Sequence, residues 1–313
     1  MIKKIYNRIF SRYDEVPYFK YFGLKDFPGL MSEEYSFMSF NNTLRGFFYH
    51  YDNYDEDTIV IFCHGIGGGH SSYFKEIEKL AKAGFNVLGF DYTGCVLSEG
   101  DTSNGLSNSL RDLDMCIKSL RCKDEYKDKK IYVVGHSWGA YAAGAINLYE
   151  RVDKVVSIAP FISPKVMYNC FFKFPFFFLT PLGMALEKSH LGGYAYASVL
   201  DALNIQGVKA LVLASFDDSV IPFKKNTKKL IYKVKNNNVK FLISEGKNHF
   251  PHYSYDAVNY FIEVNTTYKK KLKDKTIKTN EDKAEYYSHV DFDRCSAQDE
   301  HTWRDIIKFL KYE

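Results

Sequence analysis

Nothing in this chain of 313 residues approaches the roughly 18 consecutive apolar residues of a membrane-crossing helix, so no transmembrane segment is expected. The densest apolar stretch, Phe171 to Met184, is interrupted by Lys173, Pro175, Pro181 and Gly183. The start, Met1-Ile2-Lys3-Lys4-Ile5-Tyr6, lacks the uninterrupted apolar segment and small-residue cleavage site of a secretory signal, which gives a cytoplasmic expectation. Cysteine is sparse and unpatterned. Cys63, Cys95, Cys116, Cys122, Cys170 and Cys295 show no metal-ligand spacing, and three lie in or beside apolar runs, as buried free thiols of a reducing compartment would. Charge of one sign is missing too. The balance of 42 basic and 38 acidic residues argues against the concentrated basic face of a nucleic-acid binder. The Lys-rich stretches at 224–240 and 269–278 read as solvated faces, and no internal repeat is visible.

What is present is an ordinary globular composition, with 46% hydrophobic and 26% charged residues, and 313 residues suffice for one substantial core. A single domain over 1–313 is expected. Within the N-terminal segment 1–13, Ile2, Ile5, Tyr6, Ile9, Phe10 and Tyr13 recur at helical spacing between basic residues. This amphipathic segment suits docking on the body of the protein, with peripheral contact to an anionic membrane as the alternative. Tyr35 to Tyr51 reads as two antiparallel strands around the turn-prone pair Asn41-Asn42. Short apolar runs then follow at 58–63, 86–90, 130–134, 154–158, 209–214 and 239–243, with helical periodicity at 73–83 and 106–120. Runs that are apolar throughout are what a parallel sheet buried on both faces requires. Alternation with helices gives an α/β fold with a doubly wound, mostly parallel sheet. The interval after the sixth strand is too long for a plain crossover, so 161–207 is expected to be an inserted cap. A Lys-rich, polar stretch at roughly 265–290 reads as a mobile loop, and 303–312 as a closing helix.

The run Ile131-Tyr132-Val133-Val134 leads directly into Gly135-His136-Ser137-Trp138-Gly139 and then into a helix-prone Ala-rich segment. A Gly-x-Ser-x-Gly pentapeptide between a strand and a helix is a nucleophile elbow. The two glycines avoid collision with the neighbouring strand and helix, and the turn sets the Ser137 hydroxyl at a helix N-terminus, where negative charge is favoured. A serine at its ordinary pKa needs a base, and the base needs an orienting acid.

On such a sheet they follow in the order serine, acid, histidine. Asp217 and Asp218 both close the run ending at Ala214; Asp218 is chosen because Pro222 stands four residues beyond it. His249 and His252 both follow the run ending at Ile243; His249 is chosen for its Gly246-x-x-His249 spacing, 31 residues after Asp218. The oxyanion hole needs two backbone N–H groups, assigned to Trp138 and to Ile66 in His64-Gly65-Ile66-Gly67-Gly68-Gly69-His70. That loop is no dinucleotide fingerprint, because His70 stands where the third glycine belongs, and no carboxylates flank His64 and His70 to make a metal site. His64 reads instead as a hydrogen-bonding support of the loop.

These motifs resemble the α/β-hydrolases of the monoglyceride lipase, lysophospholipase and serine aminopeptidase group, in particular bacterial members with a His-Gly-Ile-Gly-Gly-Gly-His loop and a Gly-His-Ser-Trp-Gly elbow. The resemblance runs from about Tyr35 to the end and includes Asp91-Tyr92-Thr93-Gly94-Cys95-Val96-Leu97-Ser98-Glu99-Gly100. Val96 departs from it, standing where a glycine is usual, as does Ala140 after the elbow. Asp91 and Ser98 read as structural. The resemblance implies the α/β-hydrolase fold and ester or amide hydrolysis through an acyl-serine, with no cofactor and no metal. The aromatic segment of the cap either covers an acyl chain, as in a monoacylglycerol or lysophospholipid, or simply packs the cap down. A peptidase or thioesterase on the same triad is the enzymatic alternative, and a non-catalytic binding protein on this scaffold is the other. Glu187 is the one carboxylate between Phe161 and Leu200, fewer than an amine-binding cap would want.

Overall fold

The apolar runs form one eight-stranded sheet in a computed structural model that describes residues 2–172 and 176–313. Its strands are β1 (Met31–Ser39), β2 (Asn42–His50), β3 (Asp55–Cys63), β4 (Phe85–Phe90), β5 (Lys130–His136), β6 (Lys154–Ile158), β7 (Ala210–Ser215) and β8 (Val239–Ser244). They lie in the order β1-β2-β4-β3-β5-β6-β7-β8. β1 and β2 form an antiparallel hairpin with Ser39 opposite Asn42, β2 runs antiparallel to β4, and every later pairing is parallel. All residues of β4, β6 and β7 are buried, as two helical layers demand.

Successive side chains of one strand enter opposite layers. Ile59 and Ile61 join a core with Leu110, Leu113, Tyr141 and Val199, whereas Val60 and Phe62 join one with Ile77, Leu80, Trp303 and Ile306. The helices behind these residues are α1 (Ile2–Ile9), α2 (Phe74–Lys82), α3 (Asn108–Arg121), α4 (Trp138–Ala145), α5 (Pro164–Phe171), α6 (Thr180–Leu191), α7 (Val199–Leu203), α8 (Thr227–Lys233), α9 (Tyr255–Lys273), α10 (Asn280–Ser288), α11 (Phe292–Cys295) and α12 (Glu300–Tyr312). No helix among the described residues is long and apolar enough to cross a membrane. All six cysteines are unpaired.

The N-terminal segment turns Tyr6 and Phe10 into the body, and Ser11 and Tyr13 bridge to Thr102 and Cys95. Between β6 and β7 the chain builds α5, α6 and α7. Ser163 accepts from Val166 N–H to start α5, with Pro164 in its first turn. Of the aromatic run in this interval, Lys173, Phe174 and Pro175 lie outside the described residues.

The stretch at 265–290 is not a loop. α9 runs to Lys273, and a Thr279/Asp282 capping box starts α10. Tyr268 packs on Tyr286 and Tyr287, and Tyr286 Oη donates to the Val264 carbonyl. The lysines that gave the stretch its loop-like polarity lie on the solvated side. The spacing Phe261, Val264, Tyr268 was the helical signal beneath them.

Candidate active site

Loops leaving β3, β5, β7 and β8 meet at the C-terminal edge of the parallel strands, where ligands bind in open α/β sheets. β5 ends at His136, Ser137 makes the turn with φ 56° and ψ −111°, and α4 begins at Trp138. This left-handed backbone is uncommon for a residue with a side chain. It is held by close packing on both sides: a Cβ at Gly135 would stand 2.4 Å from the Gly139 carbonyl oxygen, and one at Gly139 only 2.0 Å from that of Cys63. The elbow therefore needs both glycines.

Ser137, Asp218 and His249 are brought together. Ser137 Oγ donates to His249 Nε2 at 2.9 Å, and His249 Nδ1–H donates to Asp218 Oδ2 at 2.8 Å. The other Asp218 oxygen accepts from the Val220 and Ile221 amides, which leaves its carboxylate one direction in which to hold the imidazole. All three residues are buried; Ser137, at 9% exposure, is the most open of them.

The rivals do other work. Asp217 accepts from the Gly246 and Asn248 amides and so ties the β7 loop to the β8 loop, while Asn248 Oδ1 accepts from Ser219. His252 is fully buried and pairs with Glu76 at 3.1 Å.

Two supporting residues escaped the sequence reading. His136, the variable residue of the pentapeptide, donates from Nε2 to the His249 carbonyl at 2.9 Å and accepts at Nδ1 from the Tyr73 hydroxyl. Burial, with His249 and His252 close by, keeps His136 well below the ordinary histidine range and therefore neutral. Glu187 is the second. Its carboxylate accepts from Tyr168 and Tyr6 hydroxyls and from the Leu106 and Ser107 amides, and the Leu106 carbonyl in turn accepts from the Trp138 indole. Nothing in the spacing of either residue signals these contacts, which join segments far apart in the chain.

Trp138 opens α4, so its N–H has no intrahelical acceptor. Gly65, just before Ile66, packs on Ser137; a Cβ there would lie 3.6 Å from that of Ser137. Both assigned amides thus belong to backbone beside the serine. His64 supports the loop as expected: Nδ1–H donates to the Gly65 carbonyl and Nε2 accepts from Tyr92 N–H, with burial lowering its pKa to about 4. His70 binds Asp91 and the Tyr49 hydroxyl, so neither histidine has a ring nitrogen to spare for a metal.

Asp91 also accepts from the His70 and Leu97 amides; burial works against its charge, but neighbouring His70 keeps it below the usual carboxylate range. Ser98 donates to the Asp91 carbonyl and accepts from Arg45 N–H. Val96 adopts φ 38°, the conformation a glycine would take without strain, and is held there by Tyr13 and Arg12.

Residues 58–262 match the family described as alpha/beta hydrolase fold. The chain belongs to that family. It is similar to the 2-hydroxy-6-oxononadienedioate/2-hydroxy-6-oxononatrienedioate hydrolase 1 of Pseudomonas putida, 32% identical over 126 residues that make up 36% of this chain and 43% of that protein. The corresponding hydrolase of Comamonas testosteroni is 31% identical over 129 residues, 37% of this chain and 41% of its own length. The matched part spans less than half the length of these curated relatives. Among solved structures, the Pyrococcus furiosus esterase Pf2001 shares the fold with a TM-score of 0.60 at 21% identity, over 84% of this chain and 98% of that one. The 2,6-dihydroxy-pseudo-oxynicotine hydrolase gives 0.53 at 15% identity, over 70% and 62%. Both curated relatives are named as hydrolases.

Proposed function

We propose that this hydrolase cleaves carboxylic esters with apolar acyl groups, such as monoacylglycerols or lysophospholipids, through an acyl-serine intermediate. The observation that carries the reading is His249 set between Ser137 Oγ and Asp218 Oδ2. His249 takes the Ser137 proton as Oγ attacks the acyl carbon, and the Asp218 carboxylate stabilises the resulting imidazolium. Ile66 and Trp138 N–H groups receive the negative oxygen. As the ester C–O bond breaks, His249 returns the proton to the leaving alcohol. It then deprotonates a water that releases the acid and frees Ser137. No step calls for a cofactor or metal.

Apolar substrate is favoured by the rim. Ile66, Leu97, Phe216 and Val220 follow β3, β4 and β7 at the C-terminal edge of the parallel strands, and all are exposed. Exposed apolar side chains after the strand ends that carry the site favour an apolar ligand there. This supports the monoglyceride lipase and lysophospholipase side of the resemblance, and peripheral contact with a lipid surface. A dicarboxylate, as in the names of the curated relatives, would ask for cations there instead. Peptide substrates are disfavoured because Glu187 is buried and fully engaged by four donors, leaving no carboxylate between Phe161 and Leu200 for a free amine.

A panel of acyl esters, acyl-thioesters, aminoacyl amides and the dienedioates tests the reading. The highest kcat/KM is expected for an uncharged acyl ester. Preference for an amide or a dienedioate would contradict it.

A further inference from the structure

An apolar cavity borders loops of the site outside the segment between β6 and β7. The cavity within that segment, about 360 Å³, is bounded by α5, α6 and residues 195–198, with Pro181 and Met184 among its apolar lining, and by no residue of the β3, β5, β7 or β8 loops. The first, of about 350 Å³ with aromatic walls, borders the loops after β3 and β8. Phe19 and Phe22 form one wall, Phe74 of α2 another, and Phe250, Phe261 and Tyr287 a third. Its size falls in the range of small-molecule sites.

This cavity begins one residue beyond two residues of the site. Gly67, on its rim, follows Ile66, and Phe250 follows His249. The Phe250 ring lies 5.7 Å from the His249 ring and 5.3 Å from that of His136, and its other side meets Phe261 at 5.0 Å. The far wall is fixed by Phe19 packing on Tyr287 at 4.6 Å. The charged groups are accounted for. Glu76 is turned to His252, and Lys20 and Lys75 both pair with Asp293. The lining also carries Ser71, Ser72, Asn265 and Ser296, of which Ser71, Asn265 and Ser296 are bonded to Glu15, Phe261 and Phe292; the rest is hydrocarbon and aromatic surface, which suits an aliphatic chain.

We infer that this cavity, built by residues 19–22, α2 and the α9–α11 region, takes the acyl chain of the substrate. The inference rests on the ester-hydrolase reading for its reaction, and places the chain on the side of Phe250 and Phe261, away from α5 and α6.

Val264→Trp, and separately the milder Asn265→Phe, fill the cavity from α9; both positions line it. In variants that keep the wild-type near-ultraviolet circular dichroism, the ratio of kcat/KM for 4-nitrophenyl decanoate over acetate is expected to fall about tenfold or more, the effect of excluding a few methylenes. An unchanged ratio in either folded variant overturns the inference while leaving ester hydrolysis standing.

A second measurement is independent of turnover. Cys295 lines the cavity and Cys122 is exposed elsewhere, so decanoate is expected to slow N-ethylmaleimide modification of Cys295 and not of Cys122, with acetate slowing neither. Slowed modification in a protein that hydrolyses no ester would keep the chain site and reject the reaction; unslowed modification rejects the chain site.

Discussion

Asp217 and Asp218 differ in what their oxygens reach, and that difference sets what each substitution does. Asp218→Asn replaces an acceptor-only group by an amide that favours the wrong imidazole tautomer, so kcat is expected to fall by about a thousandfold or more. Asp217→Asn weakens the tie from Ser215, Gly246 and Asn248 and acts through loop placement, with a loss of about 1 kcal/mol in stability and under about tenfold in kcat. Steady-state kinetics and thermal unfolding of the two variants check this; equal loss of kcat in both would contradict it. The choice of Asp218 was legible because the turn ending at Pro222 turns two amides onto one of its oxygens and frees the other for His249. His136 was not legible. Its role depends on the carbonyl of a residue 113 positions away, which no local pattern carries.

At the scale of elements, strands were read well because burial on both faces makes β4, β6 and β7 largely apolar, with Asn86, Lys154, Ser157 and Ser215 as buried exceptions. The elbow was read well because backbone crowding at Gly135 and Gly139 is local. α9 and α10 were misread because their stability comes from aromatic contact between the two helices, with charge on the outside. The joint between α1, α6 and the turn before α3 was invisible for a related reason: Glu187 collects donors from three separate segments. Glu187→Gln puts an amide N–H₂ against backbone N–H groups in a buried site, so stability is expected to fall by about 1–3 kcal/mol. Thermal unfolding checks it; an unchanged midpoint would show that the joint carries no stability. The same joint leads through Leu106 to the Trp138 indole, which links α6 to the elbow.

For the molecule as a whole, pH dependence follows from its buried histidines. His64, His136 and His252 are all pushed below the ordinary histidine range, chiefly by burial. A depressed folded pKa gives stability that is present above the unfolded value and lost as pH falls toward the folded one. For His64 that window runs from 6.5 to about 4, worth roughly 3 kcal/mol. Glu187, raised by burial, pulls the other way, but it is one group against three. The thermal midpoint is therefore expected to drop by on the order of 10 °C between pH 7 and pH 5. A midpoint flat across that interval would contradict neutral, buried histidines. The reactivity of Ser137 is the central claim, and covalent labelling by a fluorophosphonate tests it most directly. Wild-type protein is expected to take a single adduct, located on Ser137 by mass spectrometry, and folded Ser137→Ala protein none. Folded wild-type protein that never labels, or a Ser137→Ala variant that labels as well as the wild type, would contradict it.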